Sequence, residues 1–300
     1  MRRFAIPAVA AATVVTLLVV GGPNAFAGAG SGSTVLFERT QPDGLTAALY
    51  TMDGSGGNQS LLLADAADGD YSPDGKLIAF DRSTPETAPD IFVMNSNGSD
   101  IRQLTDDPAF DVWPDWSPNG KQITFTSDRA GFTDIYVMDA DGSNVRRLTE
   151  DPGGAEASVF SPNGQQILFL SLRAGVPQIW VMDADGANQR PLTEGPDFEF
   201  SWSPNGQQIA FISFRDGTRE VYVMDSDGGN QTRLTNDANR DLGPVVFSPN
   251  GREVAFMSRR NGNFDIYALA LASGQTRQLT TGPEVDGFPE WTNGAPASNS

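Results

Sequence analysis

Carboxylates are the chemically versatile side chains that this sequence holds in number: 38 Asp and Glu stand against 20 Lys and Arg, with no His and no Cys. Without a thiol there is no disulfide framework, Cys-ligated zinc, iron–sulfur cluster or cysteine nucleophile. Without an imidazole there is no Ser-His-Asp triad and no His metal ligand. Carboxylates alone can cap backbone N–H groups, hold a hard cation, or attract a basic peptide. The formal charge of −18, with no run of Lys or Arg, argues against a nucleic-acid surface and for a neutral or basic partner.

Five carboxylates recur at matched places. Asp111, Asp197 and Asp286 each stand six residues before a repeated Ser or Thr; Asp241 is displaced by one, and Glu156 takes the place in the fourth unit. Asp68 and Asp70 are approximate equivalents in the second. Each Asp either caps a local backbone segment or joins a carboxylate ring that draws in a cation, Ca2+ at Asp111, Asp197 and Asp286, or a partner that also meets Trp113. An arginine recurs as well, at Arg129, Arg173, Arg215 and Arg259 or Arg260, with Arg82 a looser match, and is expected in inter-blade ion pairs or caps, with a partner-binding ring as the alternative.

The elements that position these residues come from three repeated phrases. Ser72-Pro-Asp-Gly75, Ser117-Pro-Asn-Gly120, Ser161-Pro-Asn-Gly164, Ser203-Pro-Asn-Gly206 and Ser248-Pro-Asn-Gly251 recur, and Trp291-Thr-Asn-Gly294 is a worn sixth copy. Ile135-Tyr-Val-Met138 and its relatives keep the same beat, and Leu-Thr closes each unit. Each unit reads as four short strands that are β-branched, aromatic and apolar on both faces, as a sheet packed between two others requires. Six such units predict an all-β, six-bladed β-propeller of four-stranded antiparallel blades. The chain enters at the second strand of blade 1, from Thr34, and Gly287–Trp291 supplies the missing innermost strand, so both termini close one blade. The 1–2 and 3–4 turns then share one face, and the 2–3 turns and acidic 4–1 connections share the other, around a channel mouth.

The segment Asp111-Val-Trp-Pro-Asp-Trp-Ser-Pro-Asn-Gly120, followed by Ile123-Thr-Phe-Thr-Ser-Asp-Arg-Ala-Gly131, Ile135-Tyr-Val-Met-Asp-Ala-Asp-Gly142 and Arg147-Leu-Thr149, resembles the repeat of TolB-like six-bladed propellers. The likeness covers residues 34–292. It implies the propeller fold, an extracytoplasmic home and a protein-binding role. It does not extend to the α/β domain that precedes the TolB propeller, since only Gly28–Ser33 separate the first expected strand from a leader.

That leader is read from Arg2-Arg3, an apolar stretch over Ala5–Val20, and Ala25-Phe26-Ala27, which predict a signal peptide over 1–27 cleaved after Ala27. A linker (28–33), the propeller (34–292) and a flexible tail (293–300) follow. Losing Arg2 and Arg3 makes the mature, secreted or periplasmic chain two charges more negative. The Asp-Ala-Asp-Gly turns lack the rest of an EF-hand shell and read as hairpins. The expected function is an exported, non-enzymatic, monomeric interaction module that acts through its acidic channel mouth and has no cofactor. The alternatives are a Ca2+-dependent propeller hydrolase of lactonase or phosphoesterase type, with a channel-bound ion, and a cell-envelope sensor or scaffold.

Overall fold

The ring of blades follows from strands that are apolar on both faces. The computed structural model describes residues 34–40, 47–84, 87–236 and 241–292. The expected leader, linker and tail, and Asp237 and Arg240 of one acidic connection, lie outside the described residues. Six antiparallel four-stranded sheets are present. Their innermost strands are Asp286–Thr292 in blade 1, Ala67–Tyr71 in blade 2, Asp111–Trp116 in blade 3, Ala155–Phe160 in blade 4, Asp197–Trp202 in blade 5 and Asp241–Phe247 in blade 6. Blade 1 joins Thr34–Thr40 to Asp286–Thr292, with Val35 opposite Trp291, so it is closed by the C-terminal strand. Among the described residues no helix is long and apolar enough to cross a membrane.

The core is divided into six clusters, one at each blade interface. Between blades 4 and 5, Val159, Leu168 and Val181 meet Phe200, Phe211 and Trp202. Between blades 6 and 1, Val246 and Ile266 meet Val35, Phe37 and Trp291, so the closing interface is packed like the others. Phe125, Phe169, Phe211 and Phe256 are fully buried, and burial of one such ring stabilises the fold by roughly 2–3 kcal/mol.

The repeated phrases act as local fasteners. In the first turn of blade 3, Ser117 Oγ accepts the Gln122 N–H at 2.8 Å, and Asn119 Oδ1 accepts that of Lys121 at 2.9 Å. Gly120 there takes a φ of 67°, which a side chain would oppose. The threonine of each Leu-Thr phrase locks the start of the third strand: Thr149 Oγ1 accepts the Ile135 N–H at 2.9 Å and donates to Asp134 Oδ1 at 2.7 Å. The same bond recurs from Ile91, Ile179, Val221 and Ile266.

Regular pairing breaks at one place in each innermost strand, where a β-bulge shifts the register, for example between Val112 and Asp115. At the bulge Asp68, Trp113, Ala157, Glu199 and Phe288 all have positive φ, between 39° and 56°. A left-handed non-glycine residue costs about 1–2 kcal/mol. Its repetition around the ring makes the bulge a designed feature that re-aims one side chain and one N–H per blade.

Candidate functional site

Two sets of buried carboxylates converge on the inner part of the ring, and they differ in their partners. The first contains the residues singled out by spacing. Asp111 Oδ2 accepts Arg129 Nη2 at 2.7 Å, Asp197 Oδ1 accepts Arg215 Nη2 at 2.9 Å, and Asp241 Oδ1 accepts Arg260 Nη2 at 3.0 Å. Asp286 is held by Arg39 Nε at 2.6 Å and Nη2 at 2.9 Å. The repeated aspartates and arginines are therefore partners of each other within one blade, which corrects the expectation of inter-blade arginine pairs. A blade's two inner strands bring the start of one beside the end of the next, so the pair forms without leaving the sheet.

Each of these arginines also lies over two rings of its own blade. The Arg215 guanidinium is 5.4 Å from the Phe211 ring and 5.0 Å from that of Tyr222, and Arg129 is placed alike over Phe125 and Tyr136. Blade 4 replaces the aspartate by Ala155, and Arg173 Nε reaches Asp151 instead, at 2.7 Å. Glu156, expected as the substitute, accepts a hydrogen bond from Thr133 Oγ1 at 3.1 Å, and its pKa is raised mainly by burial. Blade 2 has Arg82 at the register of Arg39 but Ala66 where the aspartate would stand. Asp68 and Asp70 do not fill that column. The turn carboxylates Asp139 and Asp141 cap their own hairpin through Asn144 and Ser143.

The second set lies along blades 1, 2 and 3, and repeat spacing touched only Asp68 and Asp70 of it, as approximate equivalents of the first set. Glu38 and Asp81 occupy equivalent positions in the second strands, where Asp81 Oδ1 accepts the bulge N–H of Trp113 at 3.3 Å. In blade 3 the same position is Thr126, which accepts the Ala157 N–H at 3.0 Å. Deeper in the ring, Asp70 Oδ2 accepts the Trp116 N–H at 2.7 Å, and Asp115 Oδ2 accepts that of Phe160 at 2.9 Å. Glu290 holds the matching position in blade 1. Blades 4, 5 and 6 have Val159, Ser201 and Val246 there, and Leu170, Ile212 and Met257 at the positions equivalent to Glu38 and Asp81. The acidity of the inner wall is thus one-sided.

No ion pair among the described residues involves Glu38, Asp68, Asp70, Asp81, Asp115 or Glu290. Burial pushes Glu38 up to about 8, helped by the charge of Asp81 and opposed by the Asp68 N–H. Burial likewise lifts Asp70 to about 8 and Asp81 to about 6. Asp68 is raised well above its usual range by burial, then by Asp81, Glu38 and Glu199. Asp115 and Glu290 are raised by burial and by their neighbours in the same belt. One carboxyl oxygen of each of Glu38, Asp68, Asp70, Asp115 and Glu290 is buried with no hydrogen-bond partner.

The structure does not gather Asp111, Asp197 and Asp286, each of which stays in its own blade. Among the described residues no three Asp or Glu are arranged to hold one metal ion. Trp113 is half-buried at the blade 3 bulge and packs against the cluster between blades 4 and 5. The second set had one legible signal, a charged residue inside an otherwise apolar strand, as in Phe80-Asp81 and Glu290-Trp291.

Comparison with known proteins agrees with this geometry. The family model of the TolB beta propeller domain matches residues 67–158 and 149–292. A 52-residue stretch is 50% identical to the Tol-Pal system protein TolB of Anaeromyxobacter dehalogenans; it covers 17% of this chain and only 12% of that relative's length. The crystal structure of TolB from Acinetobacter baumannii superposes with a TM-score of 0.79 at 25% identity, over 88% of this chain and 67% of that one. An oligogalacturonate lyase in complex with manganese shares the fold alone, at 14% identity and a TM-score of 0.60, over 87% and 75% of the two chains.

Proposed function

The chain belongs to the TolB beta propeller domain family, and we propose that it acts outside the cytoplasm as a non-enzymatic module that binds a neutral or basic protein or peptide at its acidic channel mouth. The observation that carries this reading is the one-sided wall of buried carboxylates, Glu38, Asp68, Asp70, Asp81, Asp115 and Glu290, which no arginine or lysine of the described residues neutralises. A wall meant only for stability would compensate them, as the Asp–Arg pairs of blades 1 and 3 do. The predicted leader and the family resemblance support export.

The test is retention of envelope proteins by the immobilised 28–300 chain. A partner should be held at low salt and released as ionic strength rises, and a Glu38→Gln/Asp68→Asn form should retain much less of it. Equal retention by both forms would remove the channel from the reading. Turnover of lactone or phosphoester substrates that requires Ca2+ would replace it with the hydrolase alternative.

A further inference from the structure

The six bulge positions form a ring around the channel: Phe288, Asp68, Trp113, Ala157, Glu199 and, in blade 6, Gly243 beside Pro244. Two are aromatic, two are acidic and two are small. Glu199 of blade 5 helps to raise Asp68 of blade 2, so the two acids act on each other from opposite blades. Glu199 packs directly on Gly243, where a Cβ would stand 2.0 Å from Glu199 Cγ and would displace that side chain. Trp113 and Phe288 are both partly exposed and occupy the bulges on either side of Asp68. Glu38 and Asp81 stand behind Asp68, and Glu38 Oε2 and Asp68 Oδ1 are buried and unpartnered.

We infer that this ring is a site for an organic cation, the ammonium or guanidinium head of a lysine or arginine side chain inserted by the partner, with Asp68 and Glu38 as its counter-charges and Trp113 and Phe288 as its aromatic walls. The inference deepens the binding-module reading and rests on it. Carboxylates with aromatic faces between small residues suit an alkylammonium or guanidinium head, whose charge is attracted to a π face as well as to an anion. A metal ion instead needs several oxygens on one point, and the described carboxylates are not so arranged.

Binding has a proton signature. The groups facing Asp68 are Asp81 of its own blade, Glu38 of blade 1 and Glu199 of blade 5. Glu38, Asp68 and Asp81 hold protons more firmly than ordinary carboxyls. A cation stabilises their ionised forms, so binding releases protons and tightens as pH rises from 6 to 8.

The test is calorimetry on the 28–300 chain with the N-acetyl amides of lysine and arginine, the norleucine amide as neutral isostere, and CaCl2. The cationic amides should bind with proton release and norleucine should not. Asp68→Asn should weaken binding by about tenfold at an unchanged melting temperature, and Trp113→Leu should weaken it similarly while lowering the melting temperature, because Trp113 also packs on the cluster between blades 4 and 5. If a variant fails to fold, the pH dependence of the wild-type chain carries the test. Stoichiometric Ca2+ binding that excludes the amides, or equal heats for lysine and norleucine, overturns the inference. Envelope capture without amide binding would defeat this inference and leave the module reading standing. Amide binding without capture would do the reverse.

Discussion

Asp197 and Asp115 are equally buried, yet they sit in opposite electrostatic settings. Asp197 meets Arg215 at 2.9 Å, and that arginine is stacked over two rings. Each keeps one buried oxygen without a partner, but Asp115 has only a backbone N–H on the other and the like charge of Asp70 beside it. The first arrangement recurs, with local variation, in five of the six blades; the second is confined to blades 1, 2 and 3. A device that every blade needs should follow the repeat, whereas one that serves a single ligand has no reason to. The carboxylates therefore fall into those neutralised inside their own blade and those that no arginine or lysine of the described residues meets.

Removing the counter-cation should produce the largest effect. Arg215→Ala leaves Asp197 buried and uncompensated, and should cost about 3 kcal/mol in denaturant unfolding. A loss within about 0.5 kcal/mol would mean that the paired set is as dispensable as an exposed salt bridge.

A smaller effect is expected from pH. Glu38 and Asp70 have folded pKa values raised to about 8, and Asp81 to about 6, all by burial. The folded state then keeps protons that the unfolded chain has lost. The stability these groups contribute is fully present below the unfolded values near 4 and is lost as pH rises through 6 to 8. The melting temperature of the ligand-free chain should fall across that window by about 2 kcal/mol equivalent, roughly 5 °C. A cationic ligand should restore it; a flat profile would show that the second set is compensated after all.

The smallest shift should have the opposite sign to the first. Asp115→Asn keeps an oxygen for the Phe160 N–H and replaces a carboxyl whose ionisation burial and Asp70 already oppose, so it should leave stability unchanged or raise it by up to about 1 kcal/mol. Marked destabilisation would erase the distinction between the two sets.

Strand order, blade number and closure by both termini were legible because they depend on short-range chemistry. Turn residues, β-branched runs and the Leu-Thr phrase recur at a fixed beat, and each is satisfied within one hairpin or one blade. The candidate site was legible in part. Asp111, Asp197, Asp241 and Asp286 were visible by spacing, but their bonds to arginine were not, since the residues that meet are 18 or more positions apart. Arg39 escaped notice because it stands two positions earlier in its strand than Arg129 does. Glu38, Asp81, Asp115 and Glu290 escaped it because they break the repeat.

The amino-acid sequence by itself determined that six similar sheets form and that acidic residues gather on the inner strands and connections. Only the tertiary structure decided which of those acids are neutralised. Pairing depends on where a β-bulge turns each side chain and which blade lies opposite, and a one-residue shift in register sends a carboxylate either to its own blade's arginine or towards the channel.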